Sequence, residues 1–79
     1  MENKEKQWIK AANLCINQKD YVKAIVYYEK LGYMENVAAL YLKIGDWPKA
    51  SDIYFQLGFT EKACEIEQDG RRGKYNYGD

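Results

Sequence analysis

Apolar residues recur along this chain at helical intervals. Tyr21, Ala24, Ile25, Tyr28 and Leu31 follow an i, i+3, i+4, i+7 spacing, and so do Met34, Val37, Ala38, Tyr41 and Ile44. Trp47, Ala50, Ile53 or Tyr54, and Leu57 repeat it. Trp8, Ala11, Ala12 and Cys15 precede these sets, and the shorter, more polar Ala63, Cys64 and Ile66 or Glu67 follow. Such spacing gathers apolar side chains on one stripe of an α-helix. Gly32, Gly45 and Gly58 are spaced by thirteen residues each. Glycine favours the left-handed conformation that ends a helix, so equal helices separated by tight turns are expected. The pattern predicts helices over 3–17, 21–31, 34–44, 47–57 and 60–69. Asp20 and Asp46 are the expected N-caps of the second and fourth, Pro48 falls in a first turn, and Thr60 is placed as the cap of the last. No alternating run has a hairpin turn beside it, so the fold class is all-α.

The repeating unit is two helices long. Displacing the sequence by 26 residues lays Asp20-Tyr21-x-Lys23-Ala24 on Asp46-Trp47-x-Lys49-Ala50, then Tyr28 on Tyr54, Leu31 on Leu57, Gly32 on Gly58 and Tyr33 on Phe59. Ala11, Val37 and Ala63 align upstream, as do Ala12, Ala38 and Cys64, and Leu14, Leu40 and Ile66. A period of this length signals stacked hairpins, because one helix pair cannot bury its apolar face alone.

Trp8-x2-Ala11-Ala12-x2-Cys15 followed by Ala24-x3-Tyr28 resembles the tetratricopeptide signature, and Met34-x2-Val37-Ala38-x2-Tyr41 with Ala50-x3-Tyr54 repeats it. The resemblance spans residues 8–68. It implies a right-handed stack of antiparallel helical hairpins, an α-α superhelix of about two and a half repeats, with Ala12, Ala24, Ala38 and Ala50 where paired helices cross closely. The unit of 26 residues is shorter than the 34 of that family. Such shortened hairpins resemble the tetratricopeptide-like solenoids of trafficking proteins.

The resemblance further implies that a protein or peptide partner binds along the face lined by the first helix of each pair. That face would present Lys10, Asn13 and Asn17, then Glu35, Asn36, Ala39 and Lys43, then Glu61 and Lys62. Asparagine can pair with a partner's peptide groups, and lysine with a carboxylate. Asn13, Asn36 and Lys62 fall where some family members clamp a C-terminal carboxylate, but Ile9 and Gly58 occupy the places where that clamp needs lysine. The expected function is therefore protein–protein interaction, as a scaffold or adaptor.

Composition narrows the alternatives. Twelve Lys+Arg balance twelve Asp+Glu, which counts against a nucleic-acid-binding helical repeat, the rival from another class. Histidine is absent, and no phosphate loop, nucleophile elbow or zinc motif is present, so neither an enzyme nor a metal or other cofactor is expected. Cys15 and Cys64 align with small or core positions and are read as buried thiols in a reducing, cytoplasmic setting. No apolar run is long enough to span a membrane, and a polar start argues against a signal peptide. Tyr27 and Phe55 lie beside the core face of their helices and are candidates for contact with another chain. Residues 1–69 form the expected repeat domain. Residues 70–79, with three glycines and Arg71, Arg72 and Lys74, read as a flexible tail. The last helix lacks a hairpin partner, so self-association through it, as an assembly element of a larger solenoid, is the main rival within binding.

Overall fold

A computed structural model describes residues 4–75 and shows five α-helices. They are α1 (Lys4–Asn17), α2 (Tyr21–Leu31), α3 (Met34–Lys43), α4 (Trp47–Gln56) and α5 (Thr60–Arg71), with no strand among the described residues. Each helix packs on its neighbours in the chain, α1 on α2, α2 on α3, α3 on α4 and α4 on α5. Two- and three-residue turns reverse the chain at every junction, which makes the array a row of antiparallel hairpins. The Cα atoms span 47 × 31 × 11 Å, so the row is broad and thin. No helix among the described residues is long and apolar enough to cross a membrane.

One device ends all five helices. In each, the amide one residue beyond the turn donates to a carbonyl five residues back, and the preceding amide donates three residues back, the paired bonds of a Schellman motif. The longer bonds are Asp20 to Cys15, Tyr33 to Tyr28, Asp46 to Tyr41, Phe59 to Tyr54 and Lys74 to Asp69, at 2.7–3.0 Å. The residue between must adopt a left-handed backbone. It is Gly32 (φ 78°), Gly45 (φ 82°), Gly58 (φ 95°) and Gly73 (φ 87°), and after α1 it is Lys19 (φ 62°). Lys19 thus stands thirteen residues before Gly32, the first member of the same series without the residue that makes it easy.

The turns alternate in kind. Within each hairpin the residue after the left-handed position is an aspartate, and its carboxylate caps the next helix. Asp20 Oδ1 accepts from the Lys23 amide at 3.3 Å, and Asp46 Oδ1 from the Lys49 amide at 3.4 Å. Between hairpins the same position is aromatic and packs backwards. Tyr33 stacks on Tyr28 and Phe59 meets Tyr54 edge-on, both with ring centroids 6.1 Å apart. Phe59, not Thr60, is the N-cap of α5, and it offers no side-chain bond. The aromatic contact holds that junction where a hydroxyl cap was expected.

Two apolar clusters meet at α3. Ala12, Ala24, Ile25, Tyr28, Val37 and Leu40 join α1 and α2 to one side of it, and Ala38, Ala50, Tyr54, Ala63 and Ile66 join α4 and α5 to the other. Tyr41 and Ile53 pack against both. The alanines at the crossings, Ala12, Ala24, Ala38 and Ala50, have no exposed surface. Larger side chains there would push the helix axes apart.

Two positions, Leu14 and Cys64, depart from the repeat. Leu14 is 58% exposed although its equivalents Leu40 and Ile66 are buried, because α1 packs only on α2. Cys64 is exposed and Cys15 half-buried, and both thiols are free. Cys64 aligns with buried Ala38, but the helix that covers Ala38 has no counterpart over α5 among the described residues. Residues 70–75, expected to belong to a flexible tail, are ordered. Helix α5 runs through Gly70 to Arg71, the Gly73 turn closes it, and Tyr75 packs against the second cluster. Residues 76–79 lie outside the described part, as do residues 1–3.

Candidate partner-binding face

The sequence-predicted residues all lie on exposed helix surface. Lys10, Asn13 and Asn17 share one side of α1 at i, i+3 and i+7, and Glu35, Asn36, Ala39 and Lys43 share one side of α3. Glu61 and Lys62 open α5 on the corresponding side. These faces are polar because the opposite stripe of each helix is spent in the two clusters.

Glu35 and Asn36 are brought into a groove. They line an open cleft of about 380 Å³ with Ile16 from α1, Tyr28 from α2, Ala39 and Leu40 from α3, and Tyr54 from α4. A second cleft of about 410 Å³ lies on their other side, walled by Tyr33, Met34, Leu57 and Phe59. Glu35 and Asn36 line both, so they form a polar ridge between two apolar hollows. Lys62 closes on the same place, its Nζ 5.2 Å from the Tyr54 ring centroid. Burial raises the pKa of the Tyr54 hydroxyl, and the negative charge of Glu35 adds to the effect, with Tyr75 contributing least. Lys10, Asn13, Asn17 and Lys43 are exposed but line neither hollow.

The groove contains residues that periodicity assigned to the core alone. Tyr28 and Tyr54 are 7% and 5% exposed, yet both line the first hollow. A usable signal is their residue type. A buried tyrosine needs a partner or a route to water for its hydroxyl, which phenylalanine or leucine at the same position would not. Tyr33 and Phe59, 43% and 44% exposed, wall the second hollow while stacking on Tyr28 and Tyr54.

This surface offers amide donors and acceptors, one carboxylate, one ammonium and apolar hollows large enough for single side chains. Such groups recognise and hold, since hydrogen bonding sets register while apolar burial supplies most of the affinity. Compared with protein family models, with curated proteins and with solved structures, the chain has no match in any of the three.

Proposed function

We propose that the chain is a protein–protein interaction module that holds a peptide or helix of a partner along the face of α1, α3 and α5. The single observation behind this reading is the polar ridge of Glu35 and Asn36 between two apolar hollows, with Lys62 beside it. A bound segment would place apolar side chains in the hollows and pair its backbone with Asn36. Asn13 and Asn17 on α1 extend the polar contacts to one side, with Lys10 and Lys43 flanking and Glu35 and Lys62 setting charge preference. The tetratricopeptide-like character of the repeat, a scaffold or adaptor role and a non-enzymatic mode of action belong to the same reading. They draw on the 26-residue period and on the absence of histidine from the chain.

The test is the affinity of a partner isolated by pull-down for the wild type and for the Asn13→Ala/Asn36→Ala variant. A loss of about tenfold or more supports the groove, this being the size of effect expected when amides that pair a partner's backbone are removed. Unchanged affinity removes it.

A further inference from the structure

Another cleft lies on the other side of the array, between α4 and α5. Its volume is about 550 Å³, and its walls carry Pro48, Phe55 and Cys64 together with Lys49, Asp52 and Glu67. The repeat shows how this place differs from its equivalent one hairpin earlier. Asp52 stands where α2 has Val26, Glu67 where α3 has Tyr41, and Phe55 where α2 has Glu29. In the earlier hairpin, α4 packs over Tyr41 and sets Lys49 Nζ 5.4 Å from its ring centroid. The α4–α5 cleft therefore pairs an aromatic side chain, 60% exposed, with two carboxylates and one ammonium. It suits an apolar helix strip flanked mainly by cations.

The chain itself presents such a strip. On the outer side of α2, Val22 and Val26 are 61% and 46% exposed and stand one turn apart. Lys23 and Lys30 flank them on one side and Glu29 on the other. Lys23, which also pairs with Asp20 at 3.8 Å, and Lys30 thus face Asp52 and Glu67, while Lys49 pairs with Asp46 at 3.9 Å. The geometry points to self-assembly in which α2 of one copy docks in the α4–α5 cleft of the next. Strip and cleft are different surfaces, and the contact proposed joins them head to tail, a heterologous interface that leaves one of each free on every pair. Copies then add head to tail until the rotation closes a ring or the row continues. This gives form to the expectation of self-association and does not rest on the inner groove, since Asn13 and Asn36 lie on neither surface.

Sedimentation velocity of the full chain and of two blocked variants decides it. Val22→Glu/Val26→Glu blocks the strip, and Phe55→Asp blocks the cleft. Wild-type mass should rise with concentration and fall back at high salt, where screening weakens the charge contacts. Each variant alone should have its association midpoint raised about tenfold or more. Their equimolar mixture should form a one-to-one dimer and stop there. Asp52→Lys/Glu67→Lys replaces Phe55→Asp as the blocked cleft should that variant lose its helical circular dichroism. A wild type that stays monomeric throughout overturns the proposal, as does a mixture that stays monomeric or a blocked variant that associates as the wild type does.

Discussion

Gly70 lies flat against the Trp47 indole, so close that a Cβ on Gly70 would overlap carbons of the ring. Replacing a helical glycine with alanine ordinarily adds about 1 kcal/mol of stability. Here the overlap outweighs that gain, because the methyl must displace a large ring already packed against the second cluster. Gly70→Ala should destabilise by about 1–3 kcal/mol in urea unfolding. A more stable variant would mean that the end of α5 does not rest on Trp47.

Lys19 carries the opposite expectation. Its φ of 62° places a side chain in the left-handed region that the other four helix ends give to glycine. Relief of that strain exceeds the added entropy of an unfolded glycine, so Lys19→Gly should stabilise by about 0.5–1 kcal/mol. Thermal melts of the two proteins check this, and a lower melting temperature for the variant counts against it. Nothing comes within 4 Å of a Cβ built on Gly32 or Gly58. Alanine at either should therefore destabilise through backbone conformation alone.

These two residues also show how much of the structure was legible in the sequence. The thirteen-residue glycine interval and the two capping aspartates place the helices to within a residue or two at most ends, because turns and caps are local chemistry. The interval begins at a lysine and closes at Gly73, fifteen residues after Gly58, so both ends of the series escape a search for glycine. Gly70 reads as the start of a tail because glycine breaks helices by propensity. Only tertiary packing, in this case a tryptophan 23 residues earlier, keeps it helical. The polar half of the candidate site follows from the face that the resemblance implies combined with the helical register, whereas its hollows do not. Which flank of a buried tyrosine faces a groove depends on how α1, α3 and α4 splay, and no residue pattern records that.

Ser51 is the one buried polar residue among the described positions, 3% exposed, and its hydroxyl donates to the Ala63 carbonyl at 3.1 Å. This bond ties α4 to α5 where the equivalent residue of α2 is Ile25. Ser51→Ala should cost about 1 kcal/mol. Hydrogen exchange should show the loss first in α5, which packs on α4 alone among the helices. Uniform loss across all five helices would contradict a local tie.

Tyr54 makes stability depend on alkaline pH. Its folded pKa lies above the ordinary 10.0, chiefly because burial disfavours the phenolate. The folded state then holds its proton longer than the unfolded chain does. The contribution is full below the unfolded pKa and is lost as pH rises from there through the folded value. Unfolding free energy measured above pH 10 should therefore fall less steeply in Tyr54→Phe than in the wild type. Equal slopes would show that the hydroxyl is not held from water.

The most direct test of binding along the inner face is amide chemical-shift mapping of the labelled chain with the minimal binding peptide of a pulled-down partner. Binding in the groove predicts that the largest shifts cluster at Ile16, Glu35, Asn36 and Ala39 and extend to Lys62. Shifts confined to Val22, Val26, Asp52 and Phe55, with the groove amides unmoved, would contradict it.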